Sequence, residues 1–267
     1  MNNELFEKVL SKDGCNIHYW VSNKGKSSWL IFLHGAGADH EMFNEQVPIV
    51  SNEFNLLLWD ARGHGLSRPM GDKFSIKLLM DDLVEIMNKE GINKATFVGQ
   101  SMGGNTAQEM AFYYPYRVEK LVLIDCTCNT MKLTGLERFY LNLTPLIIRM
   151  YPWSYLVNAS VKASAIKPHV QVYLKQVFDL VGKKDFMKIF LATAACLHYE
   201  EEYKINKPIL LVYGEHDQTG NIKRIASSWA SSESNCRLFE ISNASHCANQ
   251  DNPSQFNTVF WDFLNDQ

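Results

Sequence analysis

The chain has 267 residues, 46% of them hydrophobic and 21% charged, a formal net charge of -3 and a pI near 6.2. That length suits one large α/β domain, with or without an inserted subdomain, and the ordinary composition, free of low-complexity tracts and repeats, excludes extended disorder and a solenoid. Lys and Arg are scattered and carry no excess over the acids, which excludes nucleic acid as the expected partner.

Met1 to Val9 is polar and acidic with no apolar leader core, and the later apolar stretches are strand-sized. Neither secretion nor a membrane span is signalled, and the cytoplasm is the expected compartment. Leu5 to Leu10 and Asn16 to Val21, joined by Ser11-Lys12-Asp13-Gly14, read as an antiparallel hairpin. Six further apolar runs bounded by turn residues read as buried strands: Trp29 to Leu33, Asn55 to Trp59, Ala95 to Val98, Lys120 to Ile124, Ile209 to Tyr213 and Cys236 to Ile241. Ser75 to Lys89 carries a helical stripe (Ile76, Leu79, Leu83, Ile86, Met87) closed by Gly91, and helices are expected after Met102, Gly220 and Pro253. This alternation predicts an eight-stranded, mostly parallel sheet covered by helices on both faces.

From about Thr130 to Tyr203 the alternation stops. Leu136 to Met150, Val170 to Val181 and Phe186 to Leu197 are apolar and aromatic, without a strand pattern, and predict a helical insertion. Residues 130–203 are therefore expected to form a subdomain set into a core of residues 1–129 and 204–267. The cysteines at 15, 126, 128, 196, 236 and 247 lack the paired spacing of a zinc site or a disulfide scaffold. Reduced and mostly buried thiols are expected, and Cys126 and Cys128, at the end of an apolar strand, are not read as ligands. No metal and no cofactor is expected.

Gly99-Gln100-Ser101-Met102-Gly103 follows the strand Ala95 to Val98 and opens a helix. G-x-S-x-G in that context thrusts a serine out of a tight strand-to-helix turn, where neighbours without Cβ leave room for strained backbone. The first N–H groups of the helix lack intrahelical partners, so Met102 N–H can point at a developing oxyanion.

Three further segments, in order along most of the chain, resemble landmarks of the α/β-hydrolase family. Leu33-His34-Gly35-Ala36-Gly37 resembles the loop that supplies the second oxyanion donor. Asp60-Ala61-Arg62-Gly63-His64-Gly65-Leu66-Ser67 resembles the D-x-R-G-x-G-x-S turn, and Tyr213-Gly214-Glu215-His216-Asp217 resembles the strand end that carries the acid. The resemblance implies the α/β-hydrolase fold, with Ser101 as nucleophile, Asp217 as acid and His246 as base, in that chain order. It further implies Met102 and Ala36 as oxyanion donors, and residues 130–203 as a cap that sets the substrate. All three triad positions follow predicted strands, the end at which an open parallel sheet gathers its site.

Asp125 is the rival acid; the Gly214-Glu215-His216-Asp217 setting favours Asp217 and leaves Asp125 to cap the turn into the insertion. His34 and His64 are expected to border the site in structural roles, and His198 is a candidate to face the pocket from the insertion. Phe139, Tyr140, Trp153, Tyr155, Phe178, Phe186 and Phe190 are candidates to line that pocket, without roles assigned. The expected activity is hydrolysis of a small carboxylic ester or related acyl compound through an acyl-enzyme on Ser101. The alternatives within the fold are C–C bond hydrolysis, perhydrolysis or a lyase reaction, and outside enzymes a small-molecule receptor. A nucleophilic aspartate of the dehalogenase or epoxide-hydrolase kind is disfavoured, because the nucleophile position is Ser101.

Overall fold

A computed structural model describes residues 5–266, so part of Met1 to Val9 lies outside the described residues. Eight strands form one sheet: β1 (Phe6–Lys12), β2 (Cys15–Ser22), β3 (Trp29–Leu33), β4 (Asn55–Trp59), β5 (Ala95–Gln100), β6 (Val118–Ile124), β7 (Ile209–Gly214) and β8 (Cys236–Ile241). Their order is β1-β2-β4-β3-β5-β6-β7-β8, with β2 antiparallel to β1 and to β4 and every other pairing parallel. β3, β4 and β5 are mostly apolar and buried almost throughout because helices cover both of their faces.

The helices are α1 (Val47–Val50), α2 (Ile76–Lys89), α3 (Met102–Tyr113), α4 (Gly135–Met150), α5 (Trp153–Ser164), α6 (Pro168–Ala194), α7 (Ile222–Ser232), α8 (Ala248–Asp251) and α9 (Pro253–Asn265). Successive strand side chains point to opposite faces, so β3 divides itself between two cores. Ile31 and Leu33 belong to one core that also takes in Leu83 of α2, Met110 of α3 and Trp229 of α7. Leu30 and Phe32 pack with Val50 of α1 and Phe260 of α9, and this core continues into Val157 and Phe178 of α5 and α6.

The stripe predicted over Ser75 to Lys89 becomes α2, with Ser75 Oγ accepting the Leu78 N–H at 3.0 Å and Gly91 in the left-handed region after the helix. Between β6 and β7 the chain forms α4, α5 and α6 and no strand. α4 opens with a capping box between Thr134 and Glu137. α6 carries a break at Gly182 (φ 73°, ψ 162°), which separates the two apolar segments predicted as Val170 to Val181 and Phe186 to Leu197.

The chain reverses its direction of travel across the sheet after β4, when it crosses to β5 on the other side of β3. The loops after β3 and β5 therefore splay apart at a topological switch point, where an open α/β sheet forms its crevice. Those loops hold Ala36 and Ser101. No described helix is long and apolar enough to cross a membrane.

Candidate active site

Ser101 stands between β5 and α3 with φ 49° and ψ -115°. A non-glycine residue in that region costs on the order of 1–3 kcal/mol, so the surroundings must hold it there. Its N–H donates to Ile124 O at 2.9 Å and its carbonyl accepts from Asn105 N at 2.9 Å. Close approach completes the clamp: a Cβ on Gly103 would overlap the carbonyl oxygen of Leu33, and one on Gly35 would overlap the Gln100 side chain. α3 and the loop after β3 can press on the serine turn only because both positions are glycine.

The structure brings Ser101, Asp217 and His246 together. Ser101 Oγ lies 3.0 Å from His246 Nε2, and His246 Nδ1 lies 3.0 Å from Asp217 Oδ2. With Nδ1–H facing the carboxylate, Nε2 is left to accept the serine proton. Asp217 follows β7, and its Oδ1 accepts the Thr219 N–H at 2.7 Å. His246 follows β8, and its carbonyl accepts from Gln100 Nε2 at 2.6 Å, so the residue before Ser101 also holds His246.

Burial opposes charge on both partners, and their pairing overrides it. Burial would lower the pKa of His246, but the charge and hydrogen bond of Asp217 bring it above the usual 6.5. Burial would raise that of Asp217, but the imidazolium charge, its hydrogen bond and the Thr219 N–H carry it below 3.8. If His246 must be neutral to take a proton, kcat/KM falls as pH drops through its raised pKa. The acid limb of a kcat/KM profile is therefore expected to have its midpoint above pH 6.5.

Asp125 does not cap the turn into the insertion. Its backbone takes the turn with φ 45°, while its buried carboxylate accepts from Gly214 N at 2.8 Å and from Ala248 N at 2.9 Å. It thereby ties the end of β7 to the residue two past His246. Burial and the neighbouring Asp217 charge push the Asp125 carboxyl well above the usual carboxylate range, so the two acids are driven apart. Asp217 is the one held charged against the imidazole. Ligand atoms of Asp125, Asp217 and His246 lie within 4.8 Å of one another, yet each carboxylate oxygen of this group already accepts a hydrogen bond.

Above Ser101 is a cavity of about 40 Å³, walled by Ala36, Ala38 and Met42, by Leu174 and Phe178 of α6, and by Cys247. Among the described residues, the N–H groups of Ala36 and Met102 donate no hydrogen bond within the protein. Both belong to residues lining the switch-point crevice or its serine turn, which is where free donors can meet an oxyanion. Burial pushes the Cys247 thiol well above 9.0, so it stays protonated beside the histidine. A separate hollow of about 420 Å³, lined by residues from Ser11 to Asn16 and by Arg68 and Pro69, includes none of the three site residues.

The helical insertion is bonded to the loop that carries His246. Asp251, buried at the end of α8, accepts from Ile166 N and Lys167 N, between α5 and α6, and from Ser245 N. Ser245 Oγ donates to Ala163 O at 2.6 Å, and Cys247 N donates to Ser164 O at 2.9 Å. Both neighbours of the histidine are thus held by the α5–α6 connection. Sequence reasoning missed Asp251 and Gln100, and no local signal marks either.

The remaining histidines fall into place as supports. His34 is buried, accepts from Ala61 N at 3.0 Å through Nε2 and donates from Nδ1 to Gly35 O at 2.8 Å, and burial lowers its pKa. His64 packs 4.9 Å from it, ring to ring, and burial followed by that neighbour lowers its pKa to about 3. His198 does not face the cavity; it pairs with Glu109 of α3 at 3.1 Å and packs on Phe112. Of the seven candidate aromatics only Phe178 lines the cavity, whereas Phe139, Tyr140 and Tyr155 are more than half exposed. Phe186 backs Phe178 with ring centroids 5.5 Å apart, and Trp153 backs Phe186 at 5.5 Å.

The D-x-R-G-x-G-x-S segment folds as a closed turn. Asp60 accepts from His40 N and Leu66 N, and Ser67 Oγ donates to Asp60 O at 2.7 Å. Arg62 makes a buried two-pronged pair with Asp82 of α2, at 2.6 and 2.8 Å.

The sequence matches the alpha/beta hydrolase fold family over residues 28–253, which spans the sheet from before β3 to the start of α9. The chain belongs to that family. The α/β-hydrolase relatives include 3-oxoadipate enol-lactonase 1 of Acinetobacter baylyi, 22% identical over 261 residues that make up 96% of each chain. Among solved structures, an enol-lactonase from Burkholderia xenovorans superposes with a TM-score of 0.80 at 23% identity, covering 97% of this chain and 100% of that one. A thermophilic esterase from Thermogutta terrifontis superposes with a TM-score of 0.81 at 18% identity, covering 98% of each chain. At these identities the structural likeness establishes the shared fold.

Proposed function

We propose that the chain is a serine hydrolase that cleaves a carboxylic ester or a related acyl compound through an acyl-enzyme on Ser101. The observation that carries this reading is the continuous line of two hydrogen bonds, each 3.0 Å, from Ser101 through His246 to Asp217. A serine hydroxyl is a poor nucleophile at neutral pH, so His246 takes its proton as Oγ attacks the acyl carbon, while Asp217 stabilises the imidazolium. The oxyanion that forms is held by the N–H groups of Ala36 and Met102, each contributing on the order of 3 kcal/mol in comparable enzymes. His246 then gives its proton to the leaving group, and in the second half removes one from the water that frees the acyl chain. Residues 130–203 serve as a cap over a core of residues 1–129 and 204–267, supplying the wall that faces the acyl group.

The test is labelling with a fluorophosphonate probe and mapping of the adduct by mass spectrometry. One adduct is expected, on Ser101, and Ser101→Ala is expected to be unlabelled. An adduct on another serine, or no adduct on folded protein, would overturn the reading, and the second result would favour a receptor.

A further inference from the structure

We infer that the acyl half of the substrate is short and uncharged, and that Phe178 sets its length. This rests on the proposed role of Ser101. A cavity of about 40 Å³ beside the nucleophile holds about three or four water-sized groups, which corresponds to an acyl chain of roughly two to four carbons. Ser101 is partly exposed, so the leaving group can remain on the open side and only the acyl chain must fit within.

The far wall is fixed at two points. The Phe178 ring lies against Gly37, where a Cβ would overlap it, and is backed by Phe186 and Trp153. Next to Leu174, the Tyr173 hydroxyl donates to the Asp39 carboxylate at 2.8 Å and pins the first turns of α6 to the loop after β3. A longer chain must displace packed side chains rather than enter empty space, and packed interiors resist that.

The charge argument is independent of size. Apart from His246, no basic residue lines the cavity among the described residues. The cations of neighbouring elements are committed elsewhere: Arg62 to Asp82, Arg68 to the carbonyls of Gly65 and Leu180, and Lys183 to those of Arg149 and Tyr151. His34 and His64 are held neutral by burial, and Asp39 on the loop after β3, already bonded to Tyr173 and Glu41 N, is an acceptor and supplies no cation. A carboxylate carried on the acyl chain would lose its water and, beyond the polar side chains of Gln100 and Ser164 on the wall, would gain no cation committed to it.

The experiment compares kcat/KM for p-nitrophenyl acetate, butyrate, hexanoate and octanoate, and for the p-nitrophenyl half-ester of glutaric acid against p-nitrophenyl pentanoate, with Ser101→Ala subtracted as background. The optimum is expected at acetate or butyrate, with octanoate lower by about tenfold or more. The half-ester is expected to fall about a hundredfold or more below its neutral counterpart. Phe178→Ala, or Phe178→Leu if the alanine variant does not fold, is expected to raise the octanoate-to-acetate ratio by about tenfold. Phe139→Ala and Tyr155→Ala, on the exposed surface, are expected to leave it unchanged. An optimum at octanoate, or a half-ester turned over as well as pentanoate, would overturn the inference. If fluorophosphonate still labels Ser101 in that event, only the substrate class fails; if it does not, the hydrolase reading fails with it.

Discussion

Ser101→Ala is expected to lower kcat on an activated short-chain ester by about a million-fold, the loss typical when the nucleophile of a coupled triad is removed. The physical reason is that the remaining groups cannot substitute for it. His246 keeps its bond to Asp217 and can polarise a water, and the proposed oxyanion donors Ala36 and Met102 are untouched, but without the Ser101 hydroxyl no acyl-enzyme can form. Stopped-flow traces should lose the burst of released alcohol as well as the steady-state rate. The variant should remain folded, because the only side-chain hydrogen bond of Ser101 among the described residues is the one to His246. A fall smaller than about tenfold would mean that the burst comes from another residue.

Asp217→Asn is expected to lower kcat by about ten-thousand-fold, because the amide can present its NH₂ to Nδ1, select the wrong imidazole tautomer and leave the imidazolium without a counter-charge. Asp125→Asn makes the informative contrast. Both Asp125 oxygens accept backbone N–H groups, from Gly214 and Ala248. An amide can serve only one and leaves a buried donor facing a donor, at a cost of about 1–3 kcal/mol. The thermal midpoint should therefore drop by several degrees, about 2–4 °C per kcal/mol for a chain of this size, with a far smaller loss of kcat than in Asp217→Asn. The reversed pattern would transfer the acid to Asp125.

The strands were legible because their signals are local. Runs such as Trp29–Leu33 and Leu56–Trp59 are apolar throughout, as strands buried on both faces are expected to be. The serine turn was legible for a related reason: Gly99, Gly103 and Gly104 record, in the residue types themselves, that no side chain fits where α3 meets β3 and β6. α5 was not foreseen. Over Trp153–Ser164 only Val157 and Val161 are buried, and two valines four apart make too thin a stripe to read. The role of Asp125 was misread because its partners lie 89 and 123 positions away, whereas a capping role can be imagined from its nearest neighbours. His198 was misread similarly: a histidine in an aromatic insertion suggests a pocket, and its partner Glu109 lies on the far side of the break in sequence.

The bonds from the α5–α6 connection to Ser245, Cys247 and Asp251 bear on how such an insertion can be exchanged. Residues 163–167 supply two backbone acceptors and two backbone donors to the loop of the proposed base. A graft that replaced the insertion between β6 and β7 without reproducing that connection would bury the Asp251 carboxylate short of two of its donors and free both neighbours of His246. The transplantable unit is therefore smaller than residues 130–203: α4, with only Ile148 buried, can vary as a cassette, while α6, whose Phe186 backs Phe178 and whose Ile189 is fully buried, and the α5–α6 corner must be inherited together with the histidine loop it grips.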